Sequence, residues 1–480
     1  MPGSSLLRRS AVDLAAAIRS GELTSRTVVA AHVEHLRRVN PALRAVVAER
    51  YDAALADADA ADAQVAAGGE LPPLHGVPCT IKESIRMTGM PNSAGTMHRR
   101  DFRATDSAPV VDRIRAAGAI PLGVTNTSEL TMWIESVNRV YGRTRNVYDP
   151  ARTAGGSSGG EGAAVGSGGS VFGLGSDIGG SIRLPAFFNG VFGHKPSQGI
   201  VPNTGQWPEG DGDSSLMLSM GPLTRRAEDL MPVLRAIAGP DGTDHRARDV
   251  VLGDPATVTF DGLDVIVASH ASFVPVSRAL RDARDRAADA LAAAGARVRV
   301  EPLRELRRAL ELYLAVLGSE AGTTVGAMLA PEGAPPATLR SVWRARRSDH
   351  TTATILLMLG DAVDRHLPQG PKRKAIAAAA TLKREVADLL GDGVLLHPPH
   401  PRVAPRHGRT VGRPWVLTPT AAFNLLELPA TVIPTGLTAK GLPTGVQAIA
   451  GLDRDHVTIA VALELERRLG GRVPPPIGGA

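Results

Sequence analysis

The sequence predicts an α/β protein whose sheet is mostly buried, folded as one large domain over residues 1–480. Segments with helical periodicity alternate with short apolar segments typical of strands. One stretch has the pattern of a β-α-β unit, in which a helix connects two parallel strands. No fixed-period repeat and no clear linker interrupts this alternation, so we expect a single domain rather than two.

Residues 1–70 are predicted to be a helical N-terminal part, with helices at 25–39 and 52–67 that precede the Gly68–Gly69 pair. About residues 71–260 form the core that carries the motifs described below. Its first predicted elements are a short strand in HGVPCTIKES, an amphipathic helix in SAPVVDRIRAAGA and an apolar strand in IPLGVTN.

The β-α-β unit lies at 262–302, with strands in GLDVIVAS and RVRVEP. The helix between them has one apolar face, formed by Leu280, Ala283, Ala287, Ala290, Leu291 and Ala294. Three further strands and a last helix are predicted in GVLLHPP, PATVIPTG, GVQAIAG and HVTIAVALELERRLG.

A helical insertion is predicted at about residues 303–390, where two apolar helical segments occur at 311–329 and 351–363. Two interpretations of these segments stay open. They are either ordinary core or subunit interface, or they line a channel for an apolar substrate.

Composition and charge exclude several classes of protein. The net charge of +6 is spread over 480 residues with both signs interleaved, so we expect no nucleic-acid partner. The single cysteine, Cys79, cannot form an internal disulfide, which fits a reducing compartment. Asp13 and Arg19 interrupt any apolar signal region, and no run of 18 apolar residues occurs. We therefore expect a cytoplasmic protein without a transmembrane segment.

The most unusual stretch is 155–185, GGSSGGEGAAVGSGGSVFGLGSDIGGSIRLP, which holds 12 glycines and 6 serines in 31 residues. A flexible linker would lack its apolar residues, which we expect to be buried: Val165, Val171, Phe172, Leu174, Ile178, Ile182 and Leu184. A phosphate-binding loop would need a P-loop or a GxGxxG motif, and neither is present. GGSSG also matches the GxSxG motif of α/β-hydrolases, with the late histidines His397, His400 and His407 as partners for the serine.

Another interpretation assigns catalysis to the backbone of this stretch. In DIGGSIRLP the glycines leave consecutive N–H groups unshielded, so that several donors can point at one oxygen. Such an oxyanion hole beside a serine is typical of nucleophilic attack on a carbonyl group. This arrangement still needs a base.

Lys82 is the candidate base because it lies within the apolar strand VPCTIKES. Loss of solvation there should lower its pKa toward neutrality, and a neutral amine can accept a proton from a serine. Glu83 should point to the opposite face of the strand. A lysine at a strand end can also extend into water, so its position alone leaves both interpretations open.

Lys82 in GVPCTIKES, Ser157 in GGSSGGEG and Ser181 in GSDIGGSIRLP together resemble the amidase signature family. The resemblance covers essentially the whole chain and is strongest to the fatty acid amide hydrolase branch. Two features specific to this branch are Glu161, which follows GGSSGG, and the segment GHKPSQGIVPN.

This resemblance implies a large mixed β-sheet sandwiched between α-helices and a Ser-cis-Ser-Lys triad. It implies that Ser181 is the nucleophile and that Lys82 is the base. Ser157, which follows a cis peptide bond, is the bridging serine between these two residues. It also assigns an oxyanion hole to the N–H groups of Ile178, Gly179, Gly180 and Ser181. The implied reaction is hydrolysis of linear amides through an acyl-enzyme, with no metal or organic cofactor.

Other residues receive secondary roles. Asp177 and Arg183 flank the nucleophile and are expected to brace its loop by hydrogen bonds. By the resemblance, Thr131 and Met132 fall near an acyl channel. The segment HPPHPRVAPRH looks like a metal site, but its prolines and the lack of a nearby carboxylate or thiol favour a loop. Cys79 is expected to be structural.

Two alternatives to a free amidase remain. A glutaminase subunit of a tRNA-dependent amidotransferase typically has glutamine at the position of Leu184 and serine at the position of Glu161, and this chain has neither. A non-catalytic scaffold is disfavoured because all three triad residues are present. The membrane-binding segments of mammalian relatives have no counterpart at this N-terminus, which argues against a long-chain lipid taken from a bilayer. The sequence leaves a homodimer open.

Overall fold

A single mixed sheet of eleven strands organises the protein in a computed structural model, which describes residues 6–209, 217–269, 271, 274–320, 324–331, 333–338, 340, 349–364 and 369–477. The strands of the described chain are β1 Val46–Glu49, β2 Pro78–Lys82, β3 Ile120–Thr125, β4 Val137–Asn138, β5 Gly142–Arg143, β6 Phe172–Asp177, β7 Phe192–Lys195, β8 Ser219–Thr224, β9 Asp264–Ser269, β10 Arg297–Pro302, β11 Val394–His397, β12 Ala430–Leu437 and β13 Pro443–Ala450. Their order in the sheet is β1-β3-β2-β6-β8-β7-β12-β13-β11-β9-β10, and β4 and β5 form a separate two-stranded ribbon.

Helices cover both faces of this sheet. They are α1 Ala11–Arg19, α2 Ser25–Leu43, α3 Tyr51–Ala67, α4 Pro109–Ala116, α5 Gly159–Gly166, α6 Arg183–Phe188, α7 Leu230–Ile237, α8 Arg278–Ala292, α9 Ala309–Glu320, α10 Val325–Met328, α11 Thr352–Asp364, α12 Gln369–Leu390, α13 Thr418–Leu425 and α14 Asp455–Leu469. None of the helices in these described ranges is long and apolar enough to span a bilayer.

Strand β9 shows how the sheet separates two apolar layers. Val265 and Val267 pack into a cluster with α8 and α14, whereas Ile266 and Ala268 pack into a second cluster with α9, α12 and α13. Alternate residues of a strand point to opposite faces, so each face has its own core. This arrangement confirms the predicted mixed sheet between helices.

Most predicted elements agree with the structure apart from their ends, but the segment predicted at 311–329 contains two helices, α9 and α10, and its residues 321–323 lie outside the described residues. The β-α-β unit is confirmed, because β9 and β10 pair in parallel on either side of α8 in the chain. Strand β10, however, lies at the sheet edge and is mostly exposed, with Val300 at 64%. The single-domain organisation and the division of the chain into three parts stay predictions.

The sheet brings together the ends of β2 and β6, the two strands that end at Lys82 and Asp177. β2 and β6 are parallel neighbours, so their carboxyl ends, at Lys82 and Asp177, lie at the same edge of the sheet. Lys82 and Ser157 are 75 positions apart in the chain, and they are hydrogen-bonded at this edge of the sheet.

Candidate active site

Lys82 is the last residue of β2, and its side chain is fully buried. Its Nζ donates to Ser157 Oγ at 2.7 Å and to Ser176 Oγ at 2.9 Å. The amine therefore points into the protein rather than to water, and it contacts the predicted bridging serine directly.

Burial lowers the pKa of Lys82 to about 7, although the negative charges of Asp177, Glu161 and Glu83 act to raise it. Glu83 directly follows β2 in the chain. Its carboxylate accepts hydrogen bonds from Ser93, Ala94 and Tyr141. Near pH 7 a substantial fraction of Lys82 is the neutral amine that a base requires.

Ser157 lies in the loop before α5, behind a cis peptide bond to Gly156. Ser136 holds this loop from the opposite side: its hydroxyl donates to the Ser157 carbonyl at 2.8 Å and accepts from the Gly159 N–H at 2.8 Å. A Cβ on Gly156 would lie 2.6 Å from the Trp133 carbonyl oxygen. Any side chain at position 156 would clash there.

Ser181 lies in the turn between β6 and α6 and is 8% exposed, whereas Ser157 is 1% exposed. The Ser158 N–H donates to the Ser181 carbonyl at 3.2 Å, which joins the two serine-bearing loops. Within the described residues, no hydrogen bond joins the Ser157 and Ser181 hydroxyls. The structure thus shows a direct contact between Lys82 and Ser157. Ser181 lies on the neighbouring loop, and its side chain is more exposed than those of Lys82 and Ser157.

The predicted oxyanion donors need one correction. The Gly180 N–H donates to Asp177 Oδ1 at 2.7 Å, so it is already occupied. In the part of the chain that the structure describes, the N–H groups of Ile178, Gly179 and Ser181 have no acceptor, and they remain candidates. Ile178 is also only partly buried, unlike the other apolar residues of this stretch.

Asp177 and Arg183 flank Ser181 and form a fully buried ion pair, with Arg183 Nη2 at 3.0 Å from Asp177 Oδ1. Asp177 Oδ2 also accepts the Ile182 and Arg183 N–H groups. Burial alone would raise the pKa of Asp177, but the charge and hydrogen bonds of Arg183 hold it well below its usual range. The carboxylate therefore stays ionised and fixes the turn that carries Ser181.

Replacing Asp177 by Asn is expected to lower the free energy of unfolding by about 3–5 kcal/mol, because it leaves the buried Arg183 charge without its partner. Activity should fall as well, since the Gly180 and Ile182 N–H groups lose a charged acceptor. Urea unfolding measures the first effect, and the double variant D177N/R183M should recover part of the stability. A stability loss below about 1 kcal/mol would contradict the bracing role.

Helix α13 contributes residues that the sequence interpretation missed. Thr420 donates to the Gly179 carbonyl at 2.7 Å, and Asn424 donates to Asp177 Oδ1 at 3.0 Å. Both lie more than 230 positions from the nucleophile turn, and no local pattern marks them. Ser176 was also missed, although its place within GSDIGGS could have suggested contact with the base.

Tyr313 of α9 is a further residue beside the nucleophile turn. Its hydroxyl lies 3.2 Å from the position that a Cβ on Gly179 would occupy. The predicted helical insertion thus reaches the site, at a point the sequence did not identify.

Thr131 and Met132 are not joined to the three triad residues by any hydrogen bond in the described chain. Leu130 and Thr131 both have positive φ angles, 57° and 58°. Met132 packs against an apolar cluster that includes Val325 and Met358, which lie within the predicted insertion. Their relation to substrate stays a prediction.

The late histidines do not gather around either serine. His400 Nδ1 contacts the Arg402 carbonyl at 2.6 Å, and His407 Nε2 contacts the Pro150 carbonyl at 3.1 Å. Lys82, rather than a histidine, is the titratable group bonded to a serine hydroxyl here. The geometry therefore favours the lysine-based interpretation over the GxSxG one.

Comparison with known proteins identifies the family of the chain. The amidase family model matches residues 27–459. The chain is 42% identical over 499 residues to fatty-acid amide hydrolase 2-B of Danio rerio, covering 98% of this chain and 91% of that protein. It is 34% identical over 465 residues to indoleacetamide hydrolase of Bradyrhizobium diazoefficiens, covering 96% and 86%.

A solved structure is similar as well. Peptide amidase from Stenotrophomonas maltophilia superposes with a TM-score of 0.77 at 26% identity, covering 98% of each chain. The predicted family and branch are both confirmed. The chain belongs to the amidase signature family and is an enzyme that hydrolyses amides.

Proposed function

We propose that this amidase cleaves linear carboxylic amides, either primary amides or N-acyl amines, with Ser181 as nucleophile, Ser157 as bridge and Lys82 as base. The observation that carries the proposal is the fully buried contact of 2.7 Å between Lys82 Nζ and Ser157 Oγ. A fully buried lysine bonded to a serine hydroxyl, with a second and more exposed serine beside it, suits proton relay.

The first half of the reaction forms an acyl-enzyme. Ser181 Oγ attacks the amide carbon while its proton passes to Ser157, and the Ser157 proton passes to neutral Lys82. The N–H groups of Ile178, Gly179 and Ser181 stabilise the oxyanion, and each such donor contributes about 10²–10³ in rate. Lys82 then returns the proton through Ser157 to the leaving nitrogen, and the C–N bond breaks.

The second half releases the acid. Water attacks the acyl carbon and gives its proton through Ser157 to Lys82, and the ester bond to Ser181 breaks as its oxygen takes that proton back. The relay is suited to amides because an amine leaves poorly as an anion and must be protonated during cleavage. The residues named need no metal or organic cofactor for these steps.

The substrate class rests on two observations. One relative is named for the hydrolysis of fatty-acid amides and another for the hydrolysis of indoleacetamide, and both names support amides of apolar acids as substrates. In this chain, the Tyr313 hydroxyl lies beside Gly179, and Met132 packs against apolar residues of the predicted insertion, which supports the proposal of an apolar acyl-binding channel.

A panel of amides of graded acyl length tests the proposal, with primary, aryl and N-acyl leaving groups for each acyl chain. We expect kcat/KM to rise with apolar acyl length, by up to about tenfold for each fully buried pair of methylenes. Rates that do not depend on the acyl chain would contradict an apolar channel. Ammonia release from glutamine, with a partner protein co-purifying, would instead support the glutaminase alternative.

Three sequence-based expectations accompany this proposal. They are a cytoplasmic location, a homodimer as an open possibility, and no nucleic-acid partner. Each stays a prediction.

A further inference from the structure

The carboxyl group of Glu129 joins the loop after β3 to the start of α11, which belongs to the predicted insertion. Its Oε2 accepts from the Thr351 N–H at 2.7 Å and from Thr354 Oγ1 at 2.8 Å. Its Oε1 lies 2.7 Å from His350 Nδ1. Glu129, Thr351 and Thr354 are all buried, so these contacts form away from bulk water. None of these residues has a role in the mechanism above.

The first turn of α11 needs such an acceptor. Backbone N–H groups at the start of a helix have no partner inside the helix, and a negative charge is favoured there. Thr351 directly precedes α11, and its Oγ1 accepts the Thr354 N–H at 3.3 Å. Glu129 accepts the Thr351 N–H and the Thr354 hydroxyl, so it completes this turn from a loop more than 220 positions away in the chain.

The residues that follow Glu129 pack on the same helix. Leu130, which is fully buried, and Met132 belong to an apolar cluster with Met358 of α11 and Val325 of α10. One loop therefore holds α11 in two ways, by the carboxyl group of Glu129 at the start of the helix and by apolar contact farther along it.

This loop has an unusual backbone conformation. Leu130 and Thr131 both lie in the left-handed region, which is unfavourable for residues other than glycine. Such conformations persist only where the surrounding contacts fix them. The Leu130 N–H donates to the Ala94 carbonyl at 2.9 Å, and the Thr131 N–H donates to the Ser128 carbonyl at 2.9 Å. The hydrogen bonds of Glu129 to α11 hold the same loop from the side of the insertion.

The other end of the loop touches the segment that carries the bridging serine. A Cβ on Gly156, the residue before Ser157, would lie 2.6 Å from the Trp133 carbonyl oxygen. Trp133 is only four residues after Glu129. Met132 therefore lies in the chain between the contact with α11 and the contact with the serine-bearing loop.

A cavity of about 570 Å³ adjoins the apolar cluster, because Trp207 and Met328 line the cavity and also pack in the cluster. Sites for small molecules have volumes of about 300–1,000 Å³. The cavity is therefore large enough to receive the far end of a long acyl group.

We infer that Glu129 sets the acyl-chain selectivity of the enzyme by fixing α11 against Met132. It is a positioning residue, because it acts through α11 and Met132 and not on the reacting atoms. This inference rests on the proposed function and goes beyond it by naming the residue that holds one wall of the acyl channel. A long acyl group needs this wall, whereas an acetyl group does not extend beyond the carbonyl attacked by Ser181.

The test compares wild type and Glu129→Ala on the acetyl and dodecanoyl amides of the same amine. The KM of the dodecanoyl amide should rise by about 10-fold, the loss expected when about two methylenes lose their apolar contacts. The KM of the acetyl amide and both kcat values should stay within about twofold of wild type, because the catalytic serines are not changed.

Glu129→Gln is the conservative variant. Its amide oxygen can accept from Thr351 and Thr354, and its NH₂ group can donate to His350 Nδ1 when this nitrogen carries no proton. The KM of the dodecanoyl amide should therefore return to within about threefold of wild type. No recovery in Glu129→Gln would overturn the inference, because these hydrogen bonds would then not be what holds the wall.

Two threonine variants test the contact from the other side. Thr354→Val removes one donor to Glu129 and should raise the KM of the dodecanoyl amide by a smaller factor than Glu129→Ala. Thr381→Val is the matched control on α12, because the Thr381 hydroxyl donates within its own helix, to the Ala377 carbonyl at 3.2 Å. This control should leave both KM values unchanged.

An equal loss of kcat on both amides in Glu129→Ala, with the KM of the dodecanoyl amide unchanged, would overturn the inference. A merely structural role lowers the amount of active enzyme without changing acyl selectivity. If Glu129→Ala does not fold, an unchanged KM in Thr354→Val has the same consequence. Failure of the proposed function is distinguishable, because wild type itself would then fail to distinguish the two amides, and the inference would fall with it.

Discussion

Replacing Ser181 by Ala is expected to abolish amide hydrolysis, with kcat/KM falling by about 10⁴-fold or more. The reason is that no other hydroxyl can take its place: Ser157, which is 1% exposed, points its hydroxyl at Lys82, whereas Ser181 is 8% exposed. The rate that remains should come from the backbone donors and substrate binding alone. Hydrolysis of the best amide of the panel measures this loss.

The same variant should also lose reaction with a fluorophosphonate probe. Such a probe bonds covalently to an activated serine oxygen, so the mass increase should lie on the wild-type peptide that contains Ser181. Ser167→Ala is the matched control, because in the described chain the hydroxyl of this buried serine bonds only to nearby backbone atoms. Labelling that persists in Ser181→Ala would place the nucleophile elsewhere.

Replacing Lys82 by Met is the second prediction with a large effect. General base catalysis contributes about 10²–10⁴ in rate, so kcat/KM at pH 8 should fall by about that factor. Methionine fills the apolar space of the lysine stem but cannot accept a proton. The measurement is hydrolysis of the same amide, with the unfolding midpoint of the variant recorded beside it.

The pH dependence of activity tests the same assignment independently. Because the pKa of Lys82 is lowered to about 7, the neutral base is lost as pH falls below that value. Wild-type kcat/KM should therefore decrease about tenfold per pH unit below pH 7, and this limb should be missing in Lys82→Met. Lys82→Arg is a useful control, since arginine stays charged and cannot act as a base. An acidic limb that survives in Lys82→Met would assign it to another group.

The fold was largely predictable because its signals are local. The alternation of helical and apolar segments along the chain marks β9, α8 and β10 from their own residues. Strand β10 shows the limit of such signals, because RVRVEP has strand periodicity whether it lies inside a sheet or at its edge. Its exposure follows from its position as the last strand, which no local pattern encodes.

The candidate site was predictable only where a short segment of the sequence carries a recognisable signal. Ser157, Ser181 and Asp177 belong to one recognisable stretch, and Lys82 stands out as a lysine in an apolar strand. Thr420, Asn424 and Tyr313 were missed because they come from helices far along the chain. The occupied Gly180 N–H was missed because consecutive glycines look alike until the position of a carboxylate is known.

The amino-acid sequence alone predicted the alternating architecture, because periodicity is a property of short segments, and its resemblance to a family implied the roles of Ser181, Ser157 and Lys82. Which polar and charged groups surround Lys82 depends on the tertiary structure. Strands β2, β3 and β6 come from separate parts of the chain, and their packing removes water from the amine and brings the hydroxyls of Ser157 and Ser176 to it. Solvation and Coulomb energies depend on such distances, and the linear order of residues does not contain them.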